Sequence, residues 1–162
     1  TILNLLSKTK YKKYNIIFTS PNQDIKGKDL IKILENKAKQ NNNFFFIKSI
    51  GRNEYFYFLS NIEIMIGNSS SGIIEAPFFG IPTINIGDRQ SGRYFTKSIL
   101  QTTYKLNSIR KNIDYALTNE FKKNCNRAKR QFKSLDTANK TYKIIKKVVN
   151  FNYEKKQFYD LQ

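Results

Sequence analysis

The residues best suited to chemistry lie in one run, GNSSSGIIE, residues 67–75. The run follows an apolar stretch that reads as a strand and opens what reads as a short helix. Unpaired backbone N–H groups at a helix start carry about half a unit of positive charge. Gly67 and Gly72 let the backbone approach a ligand closely. The hydroxyls of Ser69, Ser70 and Ser71 add further donors. Together these are what a diphosphate needs. The lysine of an ATPase phosphate loop is absent. Plain helix capping requires one serine rather than three, so an anion site explains the run better. Glu75, one turn on, has two readings. Its carboxylate can accept two hydrogen bonds from a ribose diol, or it is a solvent-facing acid that favours the helix dipole.

Two more polar segments follow apolar stretches. Residues 87–93 (GDRQSGR) place Arg89 and Arg93 in a glycine-containing loop. Arginines there suit bidentate contact with phosphate; the alternative is an Asp88–Arg89 surface pair, worth little. Residues 21–24 (PNQD), with Lys28 beyond, form the other segment. On residue chemistry alone they are an Asx turn leading to a helix cap.

The elements that must position these loops can be read from apolar periodicity. Ile2, Leu3, Leu5 and Leu6 read as the end of an amphipathic helix. Strands are expected at residues 15–20, 44–49, 63–66, 83–86 and 98–103. Helices are expected at 29–40, with Leu30, Ile33, Leu34 and Ala38 on one face, and at 54–61, 70–79, 107–117 and 136–150. Pro77 sits inside the fourth of these. Alternation of strand and helix implies an α/β fold: a Rossmann-like parallel sheet with helices on both faces. Such strands are buried on both sides. Ligands then bind at the C-terminal strand ends, where the loops at 21–28, 49–52, 67–72 and 87–93 should converge. Residues 1–150 are expected to form this lobe and 151–162 a C-terminal tail.

Composition narrows the function classes. The 162 residues include 13 Phe and 10 Tyr, enough for a packed core. There is no histidine, which excludes His general-base catalysis and His-ligated metal within this chain. The single cysteine, Cys125, permits no intrachain disulfide, which fits a cytoplasmic location. No apolar run is long enough for a transmembrane helix. The net charge of +17 admits a basic nucleic-acid-binding domain. No nucleic-acid motif accompanies it, and the lysines alternate with apolar residues as on solvated helix faces. A nucleic-acid partner is therefore not expected.

At residues 67–93, GNSSSGIIEAPFFGIPTINIGDRQSGR, the sequence resembles the signature of the hydrolysing UDP-N-acetylglucosamine 2-epimerases. These enzymes convert UDP-N-acetylglucosamine and water to N-acetylmannosamine and UDP for sialic acid biosynthesis. The non-hydrolysing branch typically has an Asp-Ser-Gly-Gly core here. The resemblance extends over about residues 16–149. It implies one lobe of a GT-B architecture (UDP-glycosyltransferase/glycogen phosphorylase-like), with UDP held by this C-terminal lobe. Ser69, Ser70, Ser71 and Gly72 would hold the diphosphate and Glu75 the ribose hydroxyls. Arg89 would contact the phosphate or brace its loop. Asn22, Asp24 and Lys28 match a Pro-Asn-x-Asp loop that faces the nucleotide, and residues 49–52 fall where the backbone meets uracil. No cofactor or metal is implied. The family's His-Pro motif has no counterpart in this chain, and its catalytic carboxylates belong to an N-terminal lobe. No catalytic residue is therefore expected here, and the chain alone is expected to be inactive. The implied partners are a UDP-sugar, the missing N-terminal lobe and a second subunit. A related UDP-diacetamido sugar as substrate and a GT-B glycosyltransferase lobe are the enzyme alternatives.

Overall fold

The computed structural model describes residues 1–21, 25–131 and 136–149. Asn22 and Asp24 and the tail at 151–162 lie outside the described residues. The chain divides into two compact units, Thr1–Arg130 and Gln131–Gln162.

The first unit starts with helix α1 (Ile2–Leu6), whose Leu3, Leu5 and Leu6 are buried. A 3-10 turn, Thr9–Tyr11, leads to strand β1 (Ile16–Thr19). Helix α2 (Ile25–Gln40) and strand β2 (Phe44–Ile47) follow, then helix α3 (Arg52–Asn61) and strand β3 (Met65–Gly67). Two one-turn helices, α4 (Ser71–Ile74) and α5 (Ala76–Phe79), precede strands β4 (Thr83–Ile86) and β5 (Ile99–Thr102). Helices α6 (Leu106–Ala116) and α7 (Asn119–Gln131) complete the order.

All strand pairing among the described residues is parallel. β1 pairs with β2, with Ile16 opposite Phe44. β3, β4 and β5 form a second ladder in that order, with Ile66 opposite Ile84 and Ile84 opposite Leu100. Parallel strands need helical crossovers between them, and α2, α4–α5 and the other connections supply them. The arrangement is α/β and Rossmann-like, as expected, with the strands in two ladders rather than one. A single core cluster joins them, since Leu5, Leu6 and Phe44 share it with Ile84, Ile109, Ile113 and Phe121.

Several expectations shift. The apolar face of α2 buries only Leu34 well; Leu30 and Ile33 are 41% and 49% exposed. A helix covering a two-stranded ladder buries a narrow stripe, so the outer apolar positions stay in solvent. α2 also begins at Ile25, four residues before the expected start, and contains Gly27. Burial on both strand faces holds for β4, where Thr83, Ile84 and Asn85 are all buried. β1 instead alternates between partly buried and exposed residues. Strands with a neighbour on one side only keep part of their surface open.

The expected helix over 70–79 is broken at Glu75, which ends α4 and starts α5. Pro77 has no N–H to give to residue 73, and its ring crowds that carbonyl. The chain therefore stops one helix and begins another, with Pro77 in the first turn of the second.

In the second unit, helix α8 (Thr137–Val148) has no buried residue. No described helix is long and apolar enough to cross a membrane.

Candidate functional site

Each ladder sends its loops from the C-terminal strand ends to one edge. Tyr55 ties the two edges together. It lies in the first turn of α3, just after β2, with its N–H bonded to Gly51 O at 2.8 Å. Its hydroxyl meets the hydroxyl of Ser71, just after β3.

The three serines are not equivalent. Ser69 Oγ accepts a hydrogen bond from the Ser71 N–H at 3.3 Å. A hydroxyl oxygen thus occupies the place an anion oxygen would take at that donor. Ser70 is exposed, and its side chain makes no capping bond. Ser71 Oγ donates to Glu75 Oε2 at 2.5 Å. A carboxylate only accepts, so the Ser71 proton points to Glu75 and the Tyr55 O–H points to Ser71. Burial pushes the Tyr55 hydroxyl above its ordinary value; the contact with Ser71 opposes this and the charge of Glu75 adds to it. Tyr55 accordingly stays protonated, as a donor must.

Gly72 serves the fold. A Cβ there would lie 2.9 Å from Thr83 Cγ2 and 3.7 Å from Met65 Sδ. Its bare α-carbon lets α4 sit directly on β3 and β4, which sets the height of the serine loop above the sheet.

The loop after β4 folds against the serine loop. Gln90 is 3% exposed and donates from Nε2 to Asn68 O at 2.7 Å. Its Oε1 is buried with no hydrogen-bond partner among the described residues. Gly87 has φ +79°, and a Cβ there would overlap the Tyr104 hydroxyl. Gln101 Nε2 donates to Gly87 O, and Gln101 Oε1 accepts from Asn85 Nδ2 at 2.6 Å. With the loop held at Gly87 and at Gln90, Arg89 and Arg93 remain exposed. Among the described residues Arg89 forms no ion pair with Asp88.

Of the expected site residues, Ser69, Ser70, Ser71, Gly72 and Glu75 lie together, with the Arg89 loop pinned to them through Gln90. Lys28 is exposed in the first turn of α2, and among the described residues no hydrogen bond joins it to the serines. Ser49, Gly51 and Arg52 are exposed at the end of β2, with the Arg52 guanidinium 5.4 Å from the Phe56 ring centre. Among the described residues no group of His, Cys, Asp and Glu is suited to a metal. A surface hollow lined by Glu63, Gly80, Pro82 and Lys122 lies at the opposite sheet edge, before β3 and β4. It has no part in this constellation.

Sequence reasoning missed Tyr55 and Gln90. Tyr55 sat in a segment of ambiguous period and read only as apolar helix. Gln90 lay inside a loop chosen for its arginines, and nothing local marks it as buried.

The sequence profile of the family described as UDP-N-acetylglucosamine 2-epimerase matches residues 1–146. A Campylobacter jejuni GDP/UDP-N,N'-diacetylbacillosamine 2-epimerase (hydrolysing) is 36% identical over 142 residues, which are 87% of this chain and 36% of that protein. A Neisseria meningitidis UDP-N-acetylglucosamine 2-epimerase is 42% identical over 96 residues, 59% of this chain and 25% of that one. The Escherichia coli polysialic acid biosynthesis protein P7 is 30% identical over 149 residues, 91% of this chain and 38% of that one. The chain thus spans between a quarter and two-fifths of these relatives.

Proposed function

The chain belongs to the UDP-N-acetylglucosamine 2-epimerase family, and we propose that it is the UDP-binding, C-terminal lobe of a hydrolysing enzyme of that family. The observation that carries this reading is the cluster at the C-terminal edge of β3. A serine loop stands beside an acidic residue, with the arginine loop fastened over it by Gln90. In open parallel sheets this edge is where nucleotides bind.

Ser70, with its free hydroxyl, and the N–H groups of the loop bind the diphosphate. Ser69 swings aside as phosphate oxygen replaces its Oγ at the Ser71 N–H. Glu75 accepts from the ribose, and Arg89 reaches the phosphates from the facing loop. Lys28, in the first turn of α2, is assigned to the nucleotide with Asn22 and Asp24 by the match to the family's Pro-Asn-x-Asp loop. Departure of UDP develops charge on the diphosphate. Fixed donors aimed at that charge lower the barrier, and this is the part of the reaction these residues perform. The acid–base groups belong to the other lobe of a two-lobed GT-B enzyme, so this chain alone binds and does not turn over.

The name of the Campylobacter jejuni relative favours a UDP-diacetamido sugar as the alternative substrate. The sugar pocket lies outside this lobe, so UDP is the shared ligand. Calorimetric titration of the full chain with UDP and UMP tests the reading. UDP is expected to bind at least tenfold more tightly than UMP, with Glu75→Ala weakening UDP by roughly 1–3 kcal/mol. Equal affinity for UDP and UMP would remove the diphosphate site from the serine loop.

A further inference from the structure

We propose that Tyr55 and Ser71 are positioning residues that hold the Glu75 carboxylate ready for the 2′-hydroxyl of a ribonucleotide. This rests on the reading that Glu75 accepts from the ribose. It changes the role of Ser71, whose hydroxyl faces the carboxylate rather than the diphosphate.

The argument follows the protons. Glu75 sits at the junction of α4 and α5, outside the regular helix, so neither helix by itself fixes its side chain. Ser71 Oγ donates to Oε2 at 2.5 Å. Having given its one proton, Ser71 has only lone pairs left. The Tyr55 O–H fills one of them and keeps the Ser71 hydroxyl turned toward Glu75. Glu75 Oε1 has no protein partner among the described residues and remains open to a donor. The relay thus fixes one carboxylate oxygen and leaves the other available. A ribose 2′-hydroxyl donates, as Oε1 requires; a 2′-deoxyribose lacks that donor and keeps only its 3′-hydroxyl.

The relay also spans the two ladders. Tyr55 comes from the first turn after β2, while Ser71 and Glu75 come from the segment after β3. A shift of one ladder against the other would move Tyr55 from Ser71 and release the carboxylate. Tyr55 is half-buried, and its aromatic ring lies 6.2 Å from that of Phe56, centre to centre. Removing only its hydroxyl leaves that packing in place, so Tyr55→Phe is a clean probe of the hydrogen bond.

The experiment compares UDP with 2′-deoxy-UDP on the full chain, by calorimetry, for the native sequence, Tyr55→Phe, Ser71→Ala and Ser71→Thr. The native chain is expected to prefer UDP roughly tenfold, the worth of one hydrogen bond to a charged group. Tyr55→Phe and Ser71→Ala should bring UDP down to the affinity of the deoxy ligand without changing the latter. Ser71→Thr, which keeps the hydroxyl, should restore the preference. A variant that misfolds would lose both ligands together, and Tyr55→Phe is chosen to avoid this. An unchanged preference in Tyr55→Phe and Ser71→Ala overturns the relay and leaves the nucleotide site standing. A native chain that binds both ligands equally overturns the contact with the 2′-hydroxyl and the relay proposed to serve it, but not the diphosphate site. A native chain that binds neither overturns the nucleotide reading and the relay with it.

Discussion

Cys125 and the three serines illustrate how far residue type alone goes. Cys125 is fully buried in the core cluster that contains Phe121. Burial pushes its thiol up to about 12, so almost no thiolate exists near neutral pH. A disulfide reagent is expected to modify the native chain only as fast as the core opens, and the urea-unfolded chain at once. Reaction of the native chain at the unfolded rate would mean that the thiol is not in the core. For the serines, type and spacing marked the whole run as a candidate anion site. Their individual partners depend on atoms distant in sequence: Tyr55 sits 16 positions from Ser71. No local pattern encodes that contact.

Elements obey stricter rules, and here the sequence was largely legible. Each expected strand exists in the described residues with ends shifted by a few positions, and so does each expected helix except that over 70–79, which is two; α7 was not among those expected. The break at Glu75 follows from Pro77, a purely local cause. The exposure of Leu30 and Ile33 does not, because it depends on how much sheet lies beneath α2. Gly72 belongs to this scale as well. Its place against Thr83 makes close packing of α4 on the sheet depend on a missing Cβ. Gly72→Ala forces Thr83 or α4 to move. It should destabilise the chain by about 1–3 kcal/mol, the usual range for overpacking. Urea unfolding measures this directly. A change of less than half a kcal/mol would show that the helix shifts freely.

At the scale of the whole molecule, folding couples stability to pH at both ends of the range. Burial, then the hydrogen bond and charge of Asp114, push the Tyr11 hydroxyl up to about 12, and Cys125 is raised to the same region. Both groups are held protonated in the folded state. Their contribution is therefore complete below about pH 9, the unfolded cysteine range, and is lost as pH rises toward 12. Asp114 has the opposite sign. Burial works against its charge, but the hydrogen bonds from Lys10 and Tyr11 prevail and hold its carboxyl below the ordinary value. Its contribution is present above about pH 4 and is lost as pH falls below that. Urea midpoints measured against pH should show a plateau between these limits. Tyr11→Phe should shrink the loss on the alkaline side, and an unchanged alkaline limb would rule out Tyr11 as its source.

The sequence by itself determined the class of the fold, the order of its strands and most of its helices, and the run that makes the candidate site. These rest on information carried within a few residues of each other: apolar periodicity, serine and glycine spacing, and one proline. Only the tertiary structure decided which serine faces Glu75, that Gln90 fastens one loop to another, and that the strands form two ladders with a shared core. Those outcomes depend on which atoms meet across the fold. They are set by the joint burial of Leu6, Phe44, Ile84 and Ile113, residues separated by more than a hundred positions at the extremes. Local chemistry proposes the groups, and packing chooses their partners.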